Sequence, residues 1–296
     1  MYYHRGEDFE IIPDKLDVIA PFDGKIVKSP VPEGDGKSNS LAIENNDGIV
    51  ILFAHMNIEN IKPGLLVGTK VKRGEVLGKT GMTWDGRMSQ ISDPHLHLEL
   101  FYQDIKLASF PYVIEAYFKD YSDEVLAVAG GYRFSRPGLS VELDATRSIA
   151  RPGKEIKDYE WRLSNGETIK SPLAQISYSR PGLYSEELIV KTKDGQEDRD
   201  YLQVRVSDPQ FKKDVAYGWG YFYPVRDPEA GSPVLFWNRL VNIIGDTIID
   251  FGDGTQAKID KDIGHIYKES GYYTVTLSAS GPRNEPVTIK FEVRVL

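Results

Sequence analysis

The chain has 296 residues, 41% hydrophobic and 27% charged, which fits globular domains, two or three at this length, and excludes a disordered polymer. A formal net charge of −8 with no basic stripe makes it a poor nucleic-acid binder, because phosphate binding needs clustered Lys and Arg. With no cysteine it carries neither a disulfide nor a thiolate metal site, and no apolar stretch approaches the roughly 18 residues of a membrane helix.

The N-terminus shows no signal peptide. Tyr2, Tyr3 and His4 follow Met1 with no basic segment or apolar run, so the chain is expected to have been trimmed there. His4 and Asp8 stand four apart, with Gly6 between them to let the backbone turn closely. Short apolar runs follow, Leu41-Ala42-Ile43 and Ile49-Val50-Ile51-Leu52-Phe53, each of strand length. His55 comes just after the second run. The segment His95-Leu96-His97-Leu98-Glu99-Leu100 alternates polar and apolar residues. In a strand, i and i+2 share a face, so His95 and His97 project into one space while Leu96, Leu98 and Leu100 line the other face. One short helical stretch is predicted, a turn or two over Pro111 to Phe118.

Turn signals punctuate the whole length: 27 glycines, 17 prolines, and the pairs Asp23-Gly24, Asp47-Gly48, Asn165-Gly166 and Asp253-Gly254. Many short strands between frequent turns predict an all-β chain of sandwiches or barrels. Two segments repeat. The first runs Val141-Glu142-Leu143-Asp144-Ala145, Tyr159-Glu160-Trp161, Asn165-Gly166, then Tyr178 to Tyr184. The second runs Asp250-Phe251-Gly252-Asp253-Gly254-Thr255, His265-Ile266-Tyr267, then Gly271-Tyr272-Tyr273. Turn glycine to tyrosine is 12 residues in one and 13 in the other, and Tyr-x3-Gly-x-Tyr follows in both. This predicts small sandwiches whose corner tyrosines pack inward while their hydroxyls find backbone partners. Both segments resemble polycystic-kidney-disease (PKD) type domains, an immunoglobulin-like sandwich. The aromatic run Tyr217 to Tyr223 could stack on sugar rings or build a core cluster, and the core is the commoner fate. His265, beside the second tyrosine corner, reads as structural.

The chemistry gathers before residue 100. Four of the five histidines (His4, His55, His95 and His97) lie there, and neutral imidazole is the commonest metal ligand. A lone histidine is more often a surface or satisfied core residue; a His-x-His strand, a His-x3-Asp and a fourth histidine at a strand end together point to a metal cleft.

Five ordered blocks sharpen this: His4-Arg5-Gly6-Glu7-Asp8-Phe9; Val18-Ile19-Ala20-Pro21-Phe22-Asp23-Gly24-Lys25-Ile26-Val27; Phe53-Ala54-His55-Met56; Val71-Lys72-Arg73-Gly74-Glu75-Val76-Leu77-Gly78-Lys79-Thr80-Gly81; and Pro94-His95-Leu96-His97-Leu98-Glu99. In order and spacing they resemble the lysostaphin/LytM-type zinc endopeptidases of bacterial cell walls, whose fold is a largely antiparallel β-sheet with the metal in an open groove. The resemblance implies Zn2+ held by His4, Asp8 and His97, with His55 and His95 as catalytic proton-handling groups. Three protein ligands leave one position open, as a catalytic zinc needs. Two stretches depart from the family pattern. Met82 to Asp93 is longer than usual and would lie on the groove rim, bringing Trp84 and Arg87 with it. Val31 to Ser38 is a hydrophilic loop in place of a tight turn.

The expected organisation is a zinc peptidase domain over 1–120 and two β-sandwiches over 121–208 and 209–296. The expected function is a secreted, extracellular or periplasmic zinc endopeptidase that hydrolyses peptide bonds of peptidoglycan. The alternative is a zinc-dependent lyase or hydrolase acting on an extracellular acidic polysaccharide with the same groups. A third reading, a metal-binding but inactive adhesion protein, is disfavoured because all five site positions are retained. By analogy of fold, the sandwiches serve as spacers or as carbohydrate- or protein-binding accessories. No nucleic acid and no membrane span are expected.

Overall fold

A computed structural model describes residues 7–10, 16–30, 40–81, 95–120, 123–208, 216–224 and 228–296. His4, the loop Val31 to Ser38 and the rim Met82 to Asp93 lie outside the described residues. The chain divides into two compact units, 1–120 and 121–296. Both are built of short, mostly antiparallel strands, in keeping with an all-β chain.

The first unit contains β1 (Glu7–Glu10), β2 (Asp17–Ile19), β3 (Gly24–Lys28), β4 (Ser40–Glu44), β5 (Ile49–Ala54), β6 (Lys70–Val71), β7 (Val76–Lys79), β8 (His95–Tyr102) and β9 (Ile105–Leu107), followed by the helix α1 (Phe110–Asp120). The main sheet runs β1-β8-β5-β4-β3-β6, and β9 pairs with the rest of β8; β2 and β7 form a separate ladder. Strand β8 is the pivot. Its first half pairs with β1 on one edge, its second half pairs with β9 on the same edge, and β5 runs along the other edge. Alternation then sorts the side chains. Leu100, Ile51, Phe53, Leu41 and Ile43 enter the buried core, with Leu96 and Leu98 packed against it. His95, His97 and Glu99 point to the opposite face.

Gly24 was expected as a hairpin turn residue. It instead opens β3, and a Cβ there would sit 2.4 Å from the Glu44 carbonyl oxygen, so close strand approach is what demands glycine. Helix α1 spans eleven residues, longer than the turn or two expected. Pro111 sits in the first turn, where its missing N–H costs no helix bond. Ile114 and Phe118, four apart, bury one face.

The turn after β5 packs closely against Gly78 of β7 and Gly81 just beyond it. His55 has φ +70, a left-handed conformation uncommon for a side chain of this size. Met56 and Asn57 behind it are both 2% exposed. A Cβ on Gly81 would lie 2.3 Å from the Asn57 backbone nitrogen and 2.6 Å from the His55 carbonyl oxygen; one on Gly78 would lie 2.9 Å from the Asn60 carbonyl.

The second unit holds two cores. One is built around Trp161, Leu143, Leu188 and Leu202, the other around Phe236, Ile249, Val275 and Val293. Trp161 in the first core and Ile249 in the second are both fully buried. The corner tyrosines pair as their spacing predicts, and three of the four hydroxyls find backbone carbonyls. Tyr178 and Tyr184 pack at 4.4 Å, and Tyr267 and Tyr273 at 4.3 Å. The hydroxyls of Tyr184, Tyr267 and Tyr273 donate to the carbonyls of Arg180, Phe251 and Glu269, while Tyr178 donates to the Glu186 carboxylate. One sheet spans both cores: the strand Gly182–Thr192 meets Pro286–Val295 in parallel at Leu183 and Val287. Part of the aromatic run packs inward, with Tyr221 stacked on Trp237 at 5.1 Å and Phe222 on Phe291 at 5.7 Å, while Tyr223 is exposed. His265 sits 3.9 Å from the Phe251 ring, face to face, with Nε2 2.7 Å from Asp253 Oδ2.

Between the two cores, Glu292 lies 3.9 Å from Arg199 and its side chain is 14% exposed. Burial raises its carboxyl pKa to about 7, reinforced by the charges of Asp198, Glu187 and Glu197 and opposed by Arg199. Burial likewise raises Asp198 to about 6, against the Ala127 N–H that donates to it.

Two expectations follow from these contacts. Gly81→Ala should cost about 1–3 kcal/mol, because the clash is with backbone atoms that cannot swing away. Gly264→Ala, where a Cβ meets nothing within 4 Å, is the control and should stay within about 0.5 kcal/mol. Equal small losses in urea unfolding would refute the close-approach account. Secondly, Glu292 and Asp198 hold their protons more tightly folded than unfolded. The stability this confers is complete below an unfolded pKa of about 4 and is lost as pH rises through 6 to 7. The melting temperature of the second unit should therefore fall from about pH 5 to about pH 8, and Glu292→Gln should flatten that fall. A pH profile that the substitution leaves unchanged would count against this assignment.

Candidate active site

The polar face of β8 carries the site. Register places Asp8 of β1 opposite His97 on one edge and Ala54 of β5 opposite it on the other. Ala54 is small, and the chain turns directly after it, which brings His55 over the same face. The His55 ring lies 4.7 Å from that of His95 and 5.8 Å from that of His97, edge-on in both cases. Three imidazoles and one carboxylate from three strands therefore meet at one end of the sheet.

Asp8 faces both β8 histidines. Its Oδ1 is 2.7 Å from His97 Nδ1, and its Oδ2 is 3.7 Å from His95 Nε2. The other ring nitrogen of His97, Nε2, lies 3.1 Å from Glu99 Oε1. Glu99 in turn forms an ion pair with Lys106 of β9 at 2.8 Å. The site grades outward from buried to open: the His97 side chain is 11% exposed and that of Asp8 36%. Burial alone would lower the His97 pKa. The hydrogen bonds to Asp8 and Glu99 and the charges of both carboxylates outweigh it, so the imidazole pKa is raised. For Glu99, burial pushes upward, but Lys106 and His97 prevail and hold its carboxyl below the ordinary range.

Of the five expected site residues, Asp8, His55, His95 and His97 come together, and His4 lies outside the described residues. Among the described residues no group of three or more His, Asp or Glu side chains is arranged to hold a metal. Asp8 and His97 do converge a carboxylate oxygen and an imidazole nitrogen, the donor types that zinc takes. Two residues at the site carry weight that the sequence reading did not assign. Glu99 stands at i+2 from His97, so the alternation that paired the histidines also marked it. Gly81 belongs to one of the quoted blocks, but its contact with the His55 turn is long-range and leaves no local sign.

Residues 2–108 match the model of Peptidase family M23, and residues 123–206 and 225–291 each match a PKD domain model. Among solved structures, the PKD1 domain of Vibrio anguillarum Epp is similar at 24% identity, over 29% of this chain and 98% of that one, with a TM-score of 0.26. The PKD1 domain of the Vibrio cholerae metalloprotease PrtV is similar at 26% identity, over 28% and 93%, with a TM-score of 0.22. No helix among the described residues is long and apolar enough to cross a membrane. The histidine-bearing sheet thus lies in a family M23 peptidase domain, and the chain carries that domain followed by two PKD domains.

Proposed function

We propose that the protein is a secreted zinc-dependent endopeptidase that hydrolyses peptide bonds of bacterial cell-wall peptidoglycan. The observation that carries the reading is the convergence of Asp8, His55, His95 and His97 on the polar face of β8, within a domain matching family M23. His4, Asp8 and His97 would hold the zinc. When bound, zinc supplies a Lewis acid that activates water and polarises a peptide carbonyl. His95, whose Nε2 lies 3.7 Å from Asp8 Oδ2, would accept a proton from the attacking water. His55, packed edge-on against both β8 imidazoles, would donate toward the oxygen of the cleaved amide. No covalent nucleophile is needed. The PKD domains would serve as spacers or as accessories that hold the enzyme on an extracellular carbohydrate or protein, outside the cell or in the periplasm.

Incubation with purified peptidoglycan should release new amino groups, whereas uronic-acid polysaccharides should yield no unsaturated sugar. The reverse pattern would make the site a polysaccharide lyase. His97→Ala should lose zinc. His95→Ala should keep zinc and lose about 100- to 10,000-fold in rate. Full zinc occupancy in both Asp8→Ala and His4→Ala would overturn the ligand assignment.

A further inference from the structure

His97 is held from both sides of its ring. Nδ1 faces Asp8 Oδ1 at 2.7 Å, and Nε2 faces Glu99 Oε1 at 3.1 Å. The two nitrogens of an imidazole point in different directions, so Glu99 does not share an ion with Asp8 through this ring. Glu99 would act on the far side of the His97 ring from an ion held between Nδ1 and Asp8. Its own place is fixed. It stands at i+2 on the same strand face as His97, and Lys106 approaches the same oxygen, Oε1, at 2.8 Å. Lys106 comes from β9, opposite Phe101, and its ammonium lies 5.8 Å from the Phe101 ring. The short β8–β9 hairpin thus brings a cation to the carboxylate that touches His97.

The chemistry follows from what each group can do. An ionised carboxylate only accepts hydrogen bonds, and a neutral imidazole has a single N–H. Paired with Lys106, Glu99 remains an acceptor, so once a metal takes the Nδ1 lone pair the His97 proton has a partner waiting at Nε2. Without Glu99, Asp8 at 2.7 Å would draw the proton to Nδ1, the nitrogen that would face a metal held with Asp8. The geometry points to Glu99, steadied by Lys106, as a positioning residue that fixes His97 with its proton on Nε2 and its Nδ1 presented to the metal. This rests on the proposed zinc site. It adds two residues, Glu99 and Lys106, that touch neither metal nor substrate. Carboxylates behind ligand histidines set ring orientation and basicity, and their loss commonly weakens metal binding 10- to 100-fold.

The test is zinc affinity of the full chain by chelator competition, together with the absorption spectrum of the Co2+-substituted protein. Glu99→Ala should weaken zinc binding by about 10- to 100-fold and alter the Co2+ spectrum, with the melting temperature of the metal-free protein little changed. Glu99→Gln keeps a carbonyl acceptor for the Nε2 proton and should recover part of that affinity. Lys106→Met should weaken binding by less than Glu99→Ala. Should Glu99→Ala fail to fold, Glu99→Gln and Lys106→Met carry the comparison, and wild-type affinity in both overturns the proposal. Glu99→Ala binding zinc within twofold of wild type, with an unaltered Co2+ spectrum, also overturns it and leaves the zinc site intact. A wild-type protein that binds no zinc overturns the zinc reading itself, an outcome distinct from the others.

Discussion

The alternation of β8 is the constraint on which the first unit rests. Leu96, Leu98 and Leu100 face the core, and His95, His97 and Glu99 face away from it. A slip of one residue would drive two imidazoles and a carboxylate into the apolar core and expose three leucines. Core packing and site geometry are thus one specification read from two faces. Pairing on both edges makes the register hard to lose. Asp8 is set opposite His97 by β1, and Ala54 by β5, so His55 inherits its place from the same ladder.

Much of this was legible in the residues. A period of two showed that His95 and His97 share a face, and repeated tyrosine spacing showed the two corners. What stayed hidden depends on contacts distant in sequence. Gly81 reads as one more turn glycine, yet its constraint comes from Asn57 and His55, more than twenty residues earlier. Gly24 lies in a turn-like pair, but its reason is the Glu44 carbonyl of a neighbouring strand. Helix α1 outruns the turn or two expected because the burial of Ile114 and Phe118, a tertiary contact, stabilises it. Glu99 was visible in the pattern and passed over, because its partner Lys106 arrives on the next hairpin strand.

The second unit shows the same dependence on pairing. The repeats read as two separate sandwiches, yet Leu183, from the first repeat, is buried in the second core. Polar contacts stitch the seam beside it. The Lys290 N–H donates to Ser185 Oγ at 3.0 Å, Ser185 Oγ lies 3.0 Å from the Thr288 carbonyl, and Tyr201 Oη lies 2.9 Å from Thr274 Oγ1. A seam that shares strands, buried side chains and backbone hydrogen bonds resists bending more than a linker does. The two PKD domains are therefore joined as one block.

The chain contains its own comparison for the site. His265 and Asp253 lie as close as His97 and Asp8, 2.7 Å in each case. The similarity ends there. Asp253 Oδ1 is taken by the N–H and hydroxyl of Thr255, and the His265 ring is stacked on Phe251 and walled by Tyr267. One histidine and one carboxylate close a turn within a single sandwich corner. At Asp8 each oxygen faces a different imidazole, and a third imidazole stands over both. A short histidine–carboxylate distance therefore does not by itself mark a metal centre. What separates the two places is the number of donors that independent strands deliver to one point. In the first unit, the alternation of β8 and the left-handed turn at His55 deliver them.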